Sequence, residues 1–410
     1  MRVISKIYFW ATAAALAAAA FGCKHSGNSS GRTSPTPQKF RPPAGYVYIT
    51  NNGEGTVSEF ARERDGGLIF LRLAKAGALN GPTGVAIDPS GRFMYVANEG
   101  DRKIHMFRIR RETGDLIPAG VTPLDAPGRP QQVAIDARGY FLYVTNASGV
   151  SDGEVGTSAT PAGAPAGTGS ISEYKIDTGT GGLQPLGVIS GGQLREPLGL
   201  ALAPNGQFAY ISDIGAGTLI SFAIDRTGEL RPVASTPSLG DRPGHPGLLA
   251  VHPSGNFVYT VDRRMGSVVV ARAAVDGKLN VTNTYRAGIS TAAPFGIAVA
   301  AIGAKVFIYT GNRGSDTVSS FAVKPNLLDL SGECPTGLGY PTGMIVDPEG
   351  RNLYVVNRNA ATVVQFAIAE SKGATLVPAT SLFTEAAPTD FSHPLYIATT
   401  RWDAPPSAPR

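Results

Sequence analysis

From Tyr46 onward, short apolar runs alternate with turn residues in a fixed order. A Pro-x-Gly opens a small apolar run, a second Pro-x-Gly turn follows, then Tyr-Val-x-Asn, then an alternating run ending in Phe. The clearest copy is Pro82-Thr83-Gly84-Val85-Ala86-Ile87-Asp88-Pro89-Ser90-Gly91, leading into Tyr95-Val96-Ala97-Asn98. The tyrosine recurs at Tyr48, Tyr95, Tyr143, Tyr210, Tyr259, Tyr309 and Tyr354, with one long gap between Tyr143 and Tyr210. Four short strands per repeat and seven repeats predict an all-β, seven-bladed propeller. Small residues such as Gly84-Val85-Ala86-Ile87 suit the innermost strand, near the crowded axis. Pro fixes φ and Gly takes positive φ in turns such as Asp347-Pro348-Glu349-Gly350. The third strands Thr56–Phe60 and Thr362–Phe366 alternate, which predicts strands buried on one face.

Closure is also legible. The first repeat lacks an inner strand, and Pro394-Leu395-Tyr396-Ile397-Ala398 supplies one. A C-terminal strand is therefore expected to complete the first blade and remove the sheet edge. The long gap holds an insertion over residues 147–168, rich in Gly, Ala, Ser, Thr and Pro, as in a lid or a disordered loop.

Ahead of the repeats the pattern changes. Arg2 and Lys6 precede an apolar stretch, Ile7–Gly22, with the layout of a secretion signal over residues 1–22. Ala20-Phe21-Gly22-Cys23 resembles a bacterial lipobox, with Cys23 lipidated and exposed as the new N-terminus. The alternative is ordinary cleavage near Ala20. Residues 23–45 form a flexible tether, 46–401 the propeller and 402–410 a tail.

The formal charge of +5 belongs to this leader. Residues 1–45 carry six basic residues and no acidic one; the remainder has 30 basic against 31 acidic. A near-neutral ring lacks the basic stripe that nucleic acid requires. No phosphate loop, HExxH, CxxC or EF-hand loop occurs, so neither cofactor nor metal is expected. Gly27-Asn28-Ser29-Ser30-Gly31 matches a nucleophile elbow only formally, since it lies in the tether.

The loops after Tyr-x-x-Asn and before Pro-x-Gly are expected to share the face around the channel mouth. The residue after the Asn or Asp is Asn52, Glu99, Ala147, Ile214, Arg263, Arg313 and Arg358 in chain order. Three arginines in successive blades, with Arg264 beside them, predict a cationic sector that takes a carboxylate, a phosphate or an acidic surface. The alternative is separate solvated arginines paired with acids such as Asp262 and Asp316. His245 and His393 each precede the Pro of an inner strand, in blades five and one; Gly81, Arg129, Glu196, Ala293 and Tyr340 are their counterparts. His245 or Glu99 has the chemistry of a general base, and Arg313 that of an oxyanion or substrate partner. The alternative is that the histidines only pack at the rim. His252 replaces a turn-opening Asp and is expected to be structural. The Asn or Asp closing each second strand recurs in every blade, as a loop cap should.

Tyr143-Val144-Thr145-Asn146 is the signature of YVTN propeller repeats, and with the seven-blade count the region Tyr46–Arg401 resembles the seven-bladed lactonase family. That family includes the propeller-type 6-phosphogluconolactonases, and its YVTN relatives occur on cell surfaces. The family's Asn-Arg-Gly segment is matched by Asn312-Arg313-Gly314. Its Gly-Pro-Arg-His becomes Gly244-His245-Pro246-Gly247 here, its Asn-Glu becomes Asp262-Arg263, and its Pro-Arg becomes Pro341-Thr342.

Two functions follow. One is a monomeric binding propeller in the cell envelope, with an anionic small molecule or an envelope protein as partner and the membrane touched only through the Cys23 lipid. The other is a hydrolase opening a sugar or other lactone. Export argues against a cytosolic sugar phosphate as its substrate.

Overall fold

A computed structural model describes residues 42–77, 81–148, 169–239, 244–288, 292–325, 327–337, 339–369, 375–378 and 394–400. Cys23, His393 and residues 149–168 lie outside them, as do the signal and most of the tether. Seven four-stranded antiparallel sheets are present, each ordered from an inner to an outer strand. Blades 2 to 7 take their strands in chain order. Blade 1 joins both ends: Pro394–Thr399 pairs with Gly45–Asn51, setting Tyr48 opposite Ala398 and Ile49 opposite Ile397. Tyr46 N–H also donates to Thr400 Oγ1 at 2.9 Å.

The core lies between the blades. Tyr48 and Val57 of blade 1 pack with Met94, Val96 and Phe107 of blade 2, and this sharing repeats around the ring. Second strands such as Phe93–Asn98 are buried at every position, because a neighbouring blade covers each face. The third strands depart from the sequence expectation: Thr56–Arg62 is buried on both faces along its middle, not on alternate residues. Its polar residues Ser58 and Glu59, on opposite faces, are both buried: Ser58 accepts from Asn51 of its own blade, and Glu59 accepts the Leu116 amide of the next blade. Outer strands such as Leu116–Pro123 are mostly exposed.

The Gly of Pro-x-Gly is required by close approach. A Cβ on Gly296 would sit 2.2 Å from Thr342 O, and one on Gly343 2.5 Å from Leu395 O, so at these two joints the inner strands lie too close for a side chain. Arg62, 2% exposed, fastens blade 1 to blade 7. Its guanidinium donates to both Glu349 oxygens, at 2.6 and 3.0 Å, and lies 3.7 Å from Asp347.

Candidate functional site

In the blades described at both positions, the residue after the second strand lies beside the residue before the inner strand. The strands pair antiparallel, with Pro246 opposite Asp262, Pro294 opposite Asn312 and Pro341 opposite Asn357. A backbone bond then closes the mouth-side corner: Glu99 N–H to Gly81 O, Ile214 to Glu196, Arg263 to His245, Arg313 to Ala293 and Arg358 to Tyr340, at 2.7–3.2 Å. The sequence-derived register is therefore observed in these blades. The closing Asn and Asp residues cap loops. Asn312 Nδ2 donates to Thr317 and Ser319, and Asp213 accepts the Arg195, Glu196 and Ala216 amides.

The three arginines do not form three equivalent solvated groups. Arg313 is 5% exposed. Its Cζ lies 3.3 Å from the Phe295 ring centroid and 4.6 Å from that of Tyr340. Arg263, half-buried, reaches the same Phe295 ring at 5.3 Å. Burial pushes the Arg313 guanidinium down to about 9, and the charges of Arg263 and Arg358 act in the same direction. It stays a cation at neutral pH, stabilised by the faces of two aromatic rings. The nearby acids serve the backbone: Asp262 Oδ1 accepts the Arg264 and Met265 amides, and Asp316 Oδ1 accepts that of Tyr340 at 2.7 Å.

Backbone strain gathers here too. Ala293 and Tyr340, the residues before the inner-strand prolines of blades 6 and 7, have φ of 39° and 57°. Positive φ is unfavourable for a residue with a side chain, and a bulky one at such a position is an outlier found most often at functional sites. At Tyr340 it accompanies the placement of the ring over Arg313.

His245 lies at the edge of this cluster. Its Nε2 is 3.1 Å from Arg264 Nη2. A guanidinium only donates, so Nε2 accepts and the proton rests on Nδ1. Burial, then the charges of Arg264 and Arg263, hold the imidazole below its ordinary value, so it is neutral at pH 7. Glu99 belongs to blade 2, three blades from both His245 and Arg313 around the ring. The fold thus brings Arg263, Arg264, Arg313, Arg358 and His245 into one sector and leaves Glu99 elsewhere on the mouth. His252, as expected, does turn work: its Nδ1 accepts the Ser254 amide, as Asp88 accepts that of Ser90.

Phe295 and Tyr340 were not among the residues expected from the sequence. A signal for Phe295 existed. The middle residue of the inner-strand opening is Thr83, Gln131, Leu198, Gly247, Phe295, Thr342 or Leu395, and only one of these is aromatic.

A seven-bladed ring with its cationic cluster at the mouth defines the class, and the sequence match defines the family. Residues 39–127, 195–295 and 252–383 match the model of the family described as Lactonase, 7-bladed beta-propeller, which covers more than half of the chain. The chain belongs to that family. No curated protein sequence matches it. Among solved structures it is similar to a periplasmic gluconolactonase of Pseudomonas aeruginosa, with 20% identity, a TM-score of 0.69, and 87% of this chain and 99% of that one covered. It is equally similar to candidate 6-phosphogluconolactonases from Bacteroides uniformis ATCC 8492 and Bacteroides fragilis NCTC 9343, each at 20% identity and a TM-score of 0.69. Those alignments cover 87% and 89% of this chain and 99% of theirs. At that identity the likeness shows the fold.

Proposed function

We propose that this chain is an exported hydrolase that opens a negatively charged lactone at the propeller mouth. The observation that carries the reading is Arg313, a cation buried against Phe295 and Tyr340 and flanked by Arg263 and Arg358, with His245 beside Arg263 and Arg264 at the edge of the cluster. Membership of a lactonase family supports hydrolysis over pure binding, and the likeness to a periplasmic gluconolactonase supports export. Attachment through a lipid on Cys23 is part of the same proposal.

In this reading the substrate's anionic group meets Arg313 and Arg358. It also draws Arg264 away from His245, which frees the Nε2 lone pair. A water then attacks the lactone carbonyl carbon while His245 takes its proton. The carbonyl oxygen becomes an oxyanion facing Arg263, a charge-assisted donor in a partly dry site. When the intermediate collapses, the ring C–O bond breaks, the alkoxide leaving group regains the proton from His245, and a hydroxy acid departs. Glu99 is too far round the ring to share this step unless the substrate spans the mouth.

The test is turnover of a panel of sugar-acid and aliphatic lactones by the purified protein, alongside Arg313→Ala and His245→Ala. Turnover of a charged lactone that both substitutions abolish supports the proposal. No turnover on any lactone, with anion binding that still depends on Arg313, would overturn it in favour of an envelope binding module.

A further inference from the structure

On the face opposite the mouth, the blades are joined by a repeated contact. The second-strand tyrosine of one blade donates its hydroxyl to a glycine carbonyl in the turn between the third and outer strands of the next. Tyr48 donates to Gly114 O, Tyr95 to Gly181, Tyr143 to Gly228 and Tyr354 to Gly66, at 2.7–2.8 Å. The residue two before each tyrosine covers the same glycine, so that a Cβ there would strike Tyr46, Phe93, Phe141 or Asn352. Between blades 4 and 5 Phe208 covers Gly277 in this way.

Between blades 5 and 6 the pattern fails. Residues 325 and 326 alone separate the strands Thr317–Lys324 and Leu327–Pro335, and neither is glycine. Where the turn would sit there is a cavity of about 220 Å³, lined among others by Phe257, Tyr259, Arg272, Asn283, Tyr285 and Leu327. Phe257 and Tyr259 are the counterparts of the aromatic pair that grips a glycine turn elsewhere. They stack on each other, with ring centroids 6.5 Å apart.

We propose that this cavity is a docking site for a glycine-bearing turn of another protein. The four intact joints show what this surface accepts: a carbonyl for the tyrosine hydroxyl and a backbone without Cβ under the neighbouring side chain. They also indicate charge. The turns that fill them carry acids, with Asp65, Asp115 and Glu229 next to the glycine and Asp177 four residues before it. Arg272 and Lys324, both exposed, line the vacant joint. The partner is therefore an exposed acidic-glycine turn, held by the Tyr259 hydroxyl and the Phe257 face and steered by Arg272. This site is on the opposite face from the mouth, and its test is independent of any lactone chemistry.

The probe is the blocked peptide Asp-Thr-Gly-Thr-Gly, identical to residues 177–181, titrated into the full chain by calorimetry or NMR. Saturable binding is expected, weakened about fivefold by Tyr259→Phe, the scale of one hydrogen bond. It should be lost when the last glycine of the peptide is valine. A second variant replaces residues 325 and 326 with the same five residues; it should fill the cavity and abolish binding. No binding at about 10 mM peptide, a weak affinity even for a single turn, would overturn the proposal. So would binding that neither variant changes.

Discussion

The mouth of this propeller has two halves built on one backbone. In blades 5 to 7 the corner positions hold His245 with Arg263, Ala293 with Arg313, and Tyr340 with Arg358. In blades 2 and 4 the same corners hold Gly81 with Glu99 and Glu196 with Ile214, joined by the same backbone bonds. The first half is cationic, aromatic and strained at the two residues that precede its inner-strand prolines in blades 6 and 7. The second has neither stacked arginines nor positive φ before a proline. The repeat makes the frame, and a few substitutions at equivalent positions make the site. A feature present in every blade, such as the capping Asn or Asp, belongs to the frame.

That contrast is broken most directly by exchanging one arginine in each half. Arg313→Lys keeps the charge but removes the planar group that lies on Phe295 and Tyr340, and lysine cannot reproduce it. Lactone turnover should fall by about 100-fold, the scale of losing one preorganised electrostatic partner. Arg129→Lys, at a corner of blade 3, should leave turnover within about twofold, as surface substitutions away from a site usually do. Equal losses in steady-state kinetics would show that the sector is not special.

Much of this was legible in the residues. Blade number, closure by the C-terminal strand and the arginine sector all follow from repeat phase, because a register fixed by Pro-x-Gly and Tyr-x-x-Asn places equivalent residues without knowledge of packing. What the phase cannot give is depth. Arg263, Arg313 and Arg358 hold equivalent positions, yet only Arg313 is enclosed, because Phe295 and Tyr340 close over it. Nothing in the local sequence of Tyr340 announces a φ of 57°. The third strands were misread for a related reason. Alternation describes a sheet with one wet face, while a blade is packed on both, so Glu59 is buried where an exposed side chain was expected, and Glu173, its counterpart in blade 3, is buried too.

Those two carboxylates sharpen the comparison in another way. In blades 1 to 4 these titrating groups sit between blades, not at the mouth. Glu59 accepts the Leu116 amide and Glu173 the Leu230 amide, each reaching the next blade. Burial raises both, to about 7, against an ordinary value near 4.5. An acid raised on folding binds its proton more tightly in the folded state. Its contribution is therefore fully present below about pH 4.5 and is lost as pH rises through 7. Glu59→Gln keeps an oxygen for the Leu116 amide and removes the buried charge. It should gain about 1 kcal/mol above pH 7 and nothing near pH 4, read from urea unfolding at both values. A uniform gain, or a loss at high pH, would refute this account. Lactone turnover should not follow the substitution.

The smallest effect separates groups inside the cationic half. Burial first, then Arg264 and Arg263, holds the His245 imidazole below its ordinary value. A neutral base of this kind loses activity only when acid protonates it, so the acidic limb of kcat/KM should lie below pH 6.5. Arg264→Gln removes one of the lowering charges and leaves burial and Arg263 in place. The limb should then move up, while burial and Arg263 still hold it below its ordinary value. KM should rise with the loss of an anion contact, while kcat on the alkaline plateau stays within about twofold. An upward shift with unchanged KM would leave Arg264 tuning the histidine without holding substrate. A limb that stays put, or moves down, would remove His245 from the reaction and return its contact with Arg264 to simple packing at the rim.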